Sequence, residues 1–253
     1  MATSFTQSPR PDAPGPGENR TIWVIWLVYG AFYFCRTNIS AAVPGLKESV
    51  DAGGLGLSAT EVSYILGSTK IAYAAGQLLN GQLSEQLAPR KLLAIGMLGT
   101  ALLNVLFGFG TALYFLIFIW ACNGYSQSLG WTPCVRVLAN WFPVERRGKV
   151  LGFVGTGYQA TAVATFVVSG RAAQALGWRG ALWISAGIMV ASAAVMLLFL
   201  KEHPPTDNDA VDPMGESKSF TTAPKNDPRN SVAQNFLLTI SNPSLWLLGV
   251  SLG

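Results

Sequence analysis

Long apolar stretches separated by short polar segments make up most of the chain. Each contains about 20 residues or more, the length that an α-helix needs to cross the hydrocarbon core of a bilayer. None shows the alternation of apolar and polar positions that membrane-spanning strands require. The pattern therefore predicts an all-α membrane protein with six transmembrane helices. These helices are expected at about residues 22–44, 60–83, 91–110, 112–138, 149–172 and 179–200.

The remaining segments divide the chain into four parts. Residues 1–20 are rich in Pro, Gly and Ser and predict a disordered tail before the six-helix region at 21–200. Residues 201–243 are polar, spotted with proline and mixed in charge, which favours a flexible loop. The apolar run at 244–253 is expected to be the start of a seventh helix that the sequence truncates. Because six helices form only one wall of an alternating-access pathway, we expect transport to require a C-terminal half.

Composition narrows the class of protein. Half of the residues are hydrophobic and 12% are charged, against roughly 25% charged in an ordinary soluble domain. This disfavours a soluble enzyme, and the eight Trp and thirteen Phe disfavour a disordered chain. The basic residues are scattered between apolar stretches and form no patch for nucleic acid. The three cysteines and the single His203 show no metal-ligand spacing, so neither a cofactor nor catalytic chemistry is expected.

The Lys and Arg residues outside the predicted spans indicate the orientation, because loops that carry most of them normally face the cytoplasm. The poorer side carries Lys47, Arg171 and Arg179. This places the N-terminus and the 201–243 loop in the cytoplasm of a multi-pass protein of the cell membrane. The richer side carries Arg10, Arg20, Arg90, Lys91, Arg146, Arg147, Lys149, Lys201, Lys218, Lys225 and Arg229.

Two cations lie deep within the predicted spans. Arg36 is about 21 Å into the first span at 1.5 Å per residue, and Lys70 is about 15 Å into the second. Between positions 62 and 201 the only acidic residues are Glu85 and Glu145, both in predicted loops. We therefore favour the binding of a phosphate or carboxylate anion by these two cations. Snorkelling, pairing with backbone carbonyls, or an acid in a missing half are the alternatives, and an Asp/Glu proton relay is disfavoured.

The fourth predicted span contains three further candidate residues. Arg136 lies near its cytoplasmic end at the level of Glu85, which favours a structural or gating ion pair over a substrate contact. Gln127 and Trp131 lie one helical turn apart and are candidates for contact with a polar substrate. In the alternative interpretation the span is shaped for close packing, and Gln127 bonds to a neighbouring backbone.

The segment after the second span reads GQLSEQLAPRK, Gly81 to Lys91, and resembles the loop pattern G-x-L-x-D-R-x-G-R-K of the major facilitator superfamily. Glu85 stands at the position of the Asp. The sequence ERRGK, which begins at Glu145, resembles the E-R-G-x loop of the same superfamily. The resemblance implies a six-helix half built from two three-helix inverted repeats. Gly81, Glu85 and Arg90 of this loop are therefore candidates for gating or structural roles, together with Arg136 as the expected partner of Glu85.

Two longer stretches resemble one family within that superfamily, the organophosphate:phosphate antiporters. They read YGAFYFCRTNISAAVP, starting at Tyr29, and NGYSQSLGWTPCVRVLANWF, starting at Asn123. The resemblance implies that Arg36 grips a phosphate group, while Tyr29 and Tyr33 line the same cavity. It implies antiport of a sugar phosphate or glycerol 3-phosphate against inorganic phosphate.

Two positions depart from that family's pattern. Tyr158 replaces the cavity His of the fifth helix, and Gln77 stands where the second-helix Lys is found, two turns from Lys70. Two other functions stay open. One is a membrane sensor of sugar phosphate that signals to a partner, and the other is a proton-coupled organic-acid symporter.

Overall fold

The computed structural model describes residues 15–205 and Ser241, and within this part of the chain it contains helices and no strand. A single 3-10 turn, Val50–Ala52, follows the second helix. The other elements are α1 Glu18–Thr37, α2 Ile39–Lys47, α3 Ala59–Gln86, α4 Pro89–Phe109, α5 Leu113–Ser128, α6 Trp131–Trp141, α7 Val144–Leu176 and α8 Trp178–Phe199.

The helices fall at the six predicted apolar stretches, but two of those stretches are broken. The first is divided at Asn38, where the amide of Ala41 donates to the Asn38 carbonyl at 3.0 Å in a tighter turn. The fourth is divided at Leu129 and Gly130. A Cβ atom on Gly130 would come 2.9 Å from the buried ring of Phe32, so only glycine fits this break without displacing the ring.

Four helical stretches in the described part are long and apolar enough to cross a membrane: Glu18–Lys47, Pro89–Phe109, Val144–Leu176 and Trp178–Phe199. Helix α3 is long enough but carries many polar side chains, while α5 and α6 are each too short because of the break between them. The count of six spans therefore stays a prediction. So do the four-part division of the chain and the inverted repeats.

Several sequence predictions concern residues outside the described part. They include most of the disordered tail at 1–20, most of the loop at 201–243 and the seventh helix at 244–253. Where the chain is described, α1 begins at Glu18, so the last three residues of the predicted tail are helical. The predicted connection at 81–91 is also mostly helical, since only Leu87 and Ala88 separate α3 from α4.

The helices pack through small residues where they approach most closely. Helix α1 lies against α7 and α8, α4 lies against α8, and α3 lies against α5. A Cβ atom on Gly30 of α1 would overlap the hydroxyl of Thr161 on α7. A Cβ atom on Gly157, one turn earlier on α7, would come 3.0 Å from the indole of Trp26. These glycines bring α1 and α7 together beside Tyr29, Tyr33 and Arg36.

Candidate anion-binding site

The centre of the candidate site is the guanidinium group of Arg36, in the last turn of α1. Its Nε atom donates a 2.8 Å hydrogen bond to Oε1 of Gln127. The guanidinium carbon lies 4.7 Å from the ring centroids of both Tyr33 and Tyr73, within range for a cation–π interaction. Among the side chains and backbone groups that the structure describes, neither a carboxylate nor a carbonyl hydrogen-bonds to its two terminal nitrogens. Arg36 therefore keeps an unpaired, charged edge that matches a phosphate or carboxylate group.

Four aromatic rings lie together beside this cation. The rings of Tyr33 and Tyr158 stack with centroids 5.0 Å apart and an interplanar angle of 29°. Tyr29 packs against Trp131 at 4.6 Å, against Tyr33 at 5.7 Å and against Tyr158 at 6.2 Å. The structure thus brings together five sequence-predicted site residues from α1, α6 and α7.

Gln127 is in the same cluster but is hidden from a substrate. Its side chain is 1% exposed, and both of its polar atoms are bonded to α1. Oε1 accepts from Arg36, and Nε2 donates to the Cys35 carbonyl at 3.0 Å. This geometry agrees with the alternative interpretation, in which Gln127 bonds a neighbouring backbone.

Tyr73 is a residue of the cluster that the sequence analysis missed. It is half-buried on α3, its ring faces the Arg36 guanidinium, and its hydroxyl accepts a 2.7 Å hydrogen bond from Nε2 of Gln77. A signal was present, since Tyr73 lies one helical turn before Gln77, the position of the related family's second-helix Lys.

Lys70 is not gathered into the cluster. It is exposed on α3, and within the described residues it forms neither an ion pair nor a hydrogen bond. None of its contacts in this part of the chain tests its predicted role toward an anion, which stays a prediction.

The predicted gating residues lie near the end of the bundle where α3 ends, α4 begins and α8 passes into residues 200–203. We call this the linker end. Arg136 donates through Nη1 to the carbonyls of Ser84 and Leu87, the latter at 3.1 Å, and so satisfies the last turn of α3. The side chain of Glu85 lies outside the described part of the structure, so its ion pair with Arg136 stays a prediction. Gly81 lies inside α3 with open space on its Cβ side.

Arg90 joins two antiparallel helices at the linker end. Its backbone amide, in the first turn of α4, donates to Oε1 of Glu202 at 3.1 Å. Its Nη2 atom donates to the carbonyl of Leu197 in the last turn of α8. Glu202 thus accepts from an N–H group that has no intrahelical partner at the start of α4. Arg90 in turn donates to a carbonyl that has no intrahelical partner at the end of α8. Nearby, Trp141 and Asn140 of α6 donate to the carbonyls of Lys201 and Glu202 at 2.9 and 3.2 Å.

The central cluster offers a cation and aromatic surfaces to a ligand. Within the described residues no group of three or more His, Cys, Asp or Glu side chains is placed to hold a metal ion. Arg36 supplies a fixed positive charge with free N–H donors, and the aromatic rings supply flat apolar surfaces that exclude water. Such a site fits the charged end and the carbon body of a small organic anion.

Comparison with known proteins identifies the class. A bundle of long apolar helices with a cation deep inside it is the architecture of a multi-pass membrane protein. The chain belongs to the Major Facilitator Superfamily, whose family model matches residues 25–253. A solved bacterial homologue of the human lysosomal transporter Spinster has the same fold, with a TM-score of 0.63 at 14% identity over 94% of this chain and 52% of the other.

Curated relatives narrow the assignment to one family within this superfamily. The probable hexose phosphate transport protein of Chlamydia trachomatis is 29% identical over 73% of this chain and 40% of its own length. The membrane sensor protein UhpC of Escherichia coli K12 is 30% identical over 71% of this chain and 40% of its length. The glycerol-3-phosphate transporter of Bacillus subtilis is 28% identical over 71% and 40%. These relatives confirm the resemblance to the organophosphate:phosphate antiporter family, and the chain spans less than half of their length.

Proposed function

We propose that this chain forms the N-terminal half of a transporter that exchanges a phosphorylated metabolite, a sugar phosphate or glycerol 3-phosphate, for inorganic phosphate. The observation that carries the proposal is the unpaired edge of the Arg36 guanidinium. Its Nε atom is hydrogen-bonded to a neutral amide and its carbon lies over the rings of Tyr33 and Tyr73, so its charge is left for a ligand. The names of the curated relatives support a phosphorylated substrate.

The site also suggests why exchange is favoured over one-way transport. A partly buried cation without a counter-ion is costly in a membrane, and a bound anion lowers that cost. A site that reorients only with an anion bound carries one anion in each direction. In this proposal the Tyr29, Tyr33, Trp131 and Tyr158 rings contact the substrate body, while Lys70 attracts the anion on its way to Arg36.

Proteoliposomes that contain the full-length protein test this proposal. We expect uptake of external sugar phosphate or glycerol 3-phosphate to require phosphate inside the vesicles, and Arg36→Ala to abolish it. Equal uptake into vesicles without internal phosphate would contradict antiport. Undiminished uptake by Arg36→Ala and by Arg36→Lys would contradict the role of Arg36.

A membrane sensor of sugar phosphate is the second candidate, because one of the relatives at about 30% identity is named a membrane sensor protein. A sensor and a transporter can share the same anion site, so binding alone does not separate them. The same vesicles separate the two functions, because saturable binding of sugar phosphate to the protein without any flux would favour the sensor.

A further inference from the structure

Gln127 lies where two broken apolar stretches contact each other, the one that forms α1 and α2 and the one that forms α5 and α6. It is the second-last residue of α5, just before the break at Leu129 and Gly130. The residue that it contacts through Nε2, Cys35, lies in the last turn of α1, just before the break at Asn38. The last four carbonyls of a helix have no partner further along that helix, so the Gln127 amide satisfies one of them. One side chain therefore fixes the relative position of α5 and α1 at both breaks.

The same amide holds the Arg36 side chain by one particular atom. Oε1 of Gln127 accepts from Nε of Arg36, the guanidinium nitrogen closest to the helix, at 2.8 Å. The guanidinium carbon lies over the rings of both Tyr33 and Tyr73, and the bond at Nε restricts the rotation of the group between them. With Nε occupied, the terminal nitrogens are the pair that remains to bind an oxyanion in a bidentate manner.

The chemical type of this acceptor matters as much as its place. A neutral amide oxygen accepts the Nε–H group without cancelling the charge of Arg36. A carboxylate at the same position would form an ion pair with the guanidinium and remove the charge that the anion needs. Gln127 is also too buried, at 1% exposure, and too fully bonded to contact a substrate.

From these contacts we propose that Gln127 is a positioning residue, which orients the Arg36 guanidinium toward the bound anion and does not itself contact substrate. The inference rests on the proposed anion site at Arg36. It replaces the direct substrate contact that the spacing of Gln127 and Trp131 suggested. The orientation is present before the anion arrives, which lowers the entropy lost on binding.

A double-mutant cycle on phosphate binding separates positioning from direct contact. Gln127→Met keeps the length of the side chain, and we expect it to weaken phosphate binding about ten-fold, as for a lost hydrogen bond to a charged group. Arg36→Lys already lacks the Nε–H group, so adding Gln127→Met to it should change the Kd less than two-fold, roughly within the error of such cycles. If Gln127 contacts the anion directly, the two losses will instead add. The matched control is Gln174→Met, an exposed glutamine on α7, which should bind phosphate like wild type.

A second measurement tests the positioning without relying on phosphate affinity. In NMR spectra of the ligand-free protein, we expect the Arg36 Nε–H signal, assigned by its loss in Arg36→Lys, to exchange slowly with water. It should exchange rapidly in Gln127→Met. Rapid exchange in the wild type would overturn the positioning role, even if phosphate binds. Slow exchange in a protein that binds no phosphate would leave the Gln127–Arg36 contact intact and overturn the proposed function instead.

Discussion

Tyr33 and Tyr158 stack face to face, with ring centroids 5.0 Å apart and an angle of 29° between their planes. The guanidinium carbon of Arg36 also lies over the Tyr33 ring, 4.7 Å from its centroid. The stack therefore links α7 to the cation on α1. Tyr158 contributes an aromatic surface at this position.

The stack predicts that the ring of Tyr158 contributes to anion affinity. Aromatic pairs contribute about 0.5–1.5 kcal/mol beyond area burial, so Tyr158→Ala should weaken phosphate binding about 2- to 12-fold. Tyr158→Phe keeps the ring and loses only the hydroxyl that accepts from Gln159 at 2.9 Å, so it should bind within two-fold of wild type, roughly the error of the method. Equilibrium binding of phosphate measures both. Tyr114→Ala, at an 84% exposed tyrosine on α5, is the control. An equal loss of phosphate affinity in Tyr158→Phe and Tyr158→Ala would contradict a role for the ring alone.

The contact of Gly30 with Thr161 makes the α1–α7 crossing sensitive to a single methyl group. Alanine normally stabilises a helix relative to glycine by about 1 kcal/mol. Here its Cβ would overlap the Thr161 hydroxyl, so Gly30→Ala should destabilise the protein by about 1–3 kcal/mol. Thermal unfolding in detergent measures the change.

Two variants test the steric cause of that loss. Gly187→Ala places a methyl group in open space on α8 and should leave the midpoint of unfolding unchanged or slightly raised. Thr161→Ala removes the overlapping hydroxyl and should recover part of the stability when combined with Gly30→Ala. No recovery in the double variant would mean that another contact limits the space at Gly30.

The contacts of Arg90 with Glu202 and with the Leu197 carbonyl predict a stabilising role for the first residues after α8. Glu202→Ala removes the carboxylate that accepts from the first turn of α4 and should cost about 0.5–2 kcal/mol of unfolding free energy. Glu202→Gln keeps an acceptor and should lose less, chiefly the interaction of the charge with the helix dipole. Hydrogen exchange of the Arg90 amide reports the local effect, and it should accelerate in Glu202→Ala.

A comparable carboxylate elsewhere provides the control for Glu202. The exposed side chain of Glu48, at the end of α2, makes no hydrogen bond within the described residues, so Glu48→Ala should leave exchange of the Arg90 amide unchanged. Equal exchange in wild type and Glu202→Ala would show that the carboxylate does not cap α4 in solution.

The helices and the family could be predicted from the sequence because both depend on local information. Apolar stretches of span length predict helices wherever they occur, and the stretches that begin at Tyr29 and Asn123 carry the family resemblance. The two breaks were missed because tertiary contacts stabilise them. Buried Asn38 donates to Asn104 at 2.8 Å, and Gly130 packs against Phe32.

Part of the candidate site could also be predicted from local information in the sequence. An arginine without nearby acids in the sequence indicates an anion site, and Arg36 has no acidic partner in the described structure. The partners of its guanidinium could not be predicted, because Tyr73 and Gln127 reach it from α3 and α5. Spacing along one helix suggests that Gln127 faces a substrate, and only the packing of α5 against α1 shows that both of its polar atoms are occupied.

Phosphate binding to variants of Arg36 tests the central claim most directly, with Arg171→Gln, an exposed arginine on α7, as the control for loss of one positive charge. We expect Arg36→Gln to abolish measurable binding, because it removes the charge that faces the anion. Arg36→Lys should keep the charge, lose the bidentate geometry and bind at least about ten-fold more weakly. Arg171→Gln should bind like wild type. Binding by Arg36→Gln as tight as by wild type and Arg171→Gln would contradict the assignment of Arg36 as the anion-binding residue.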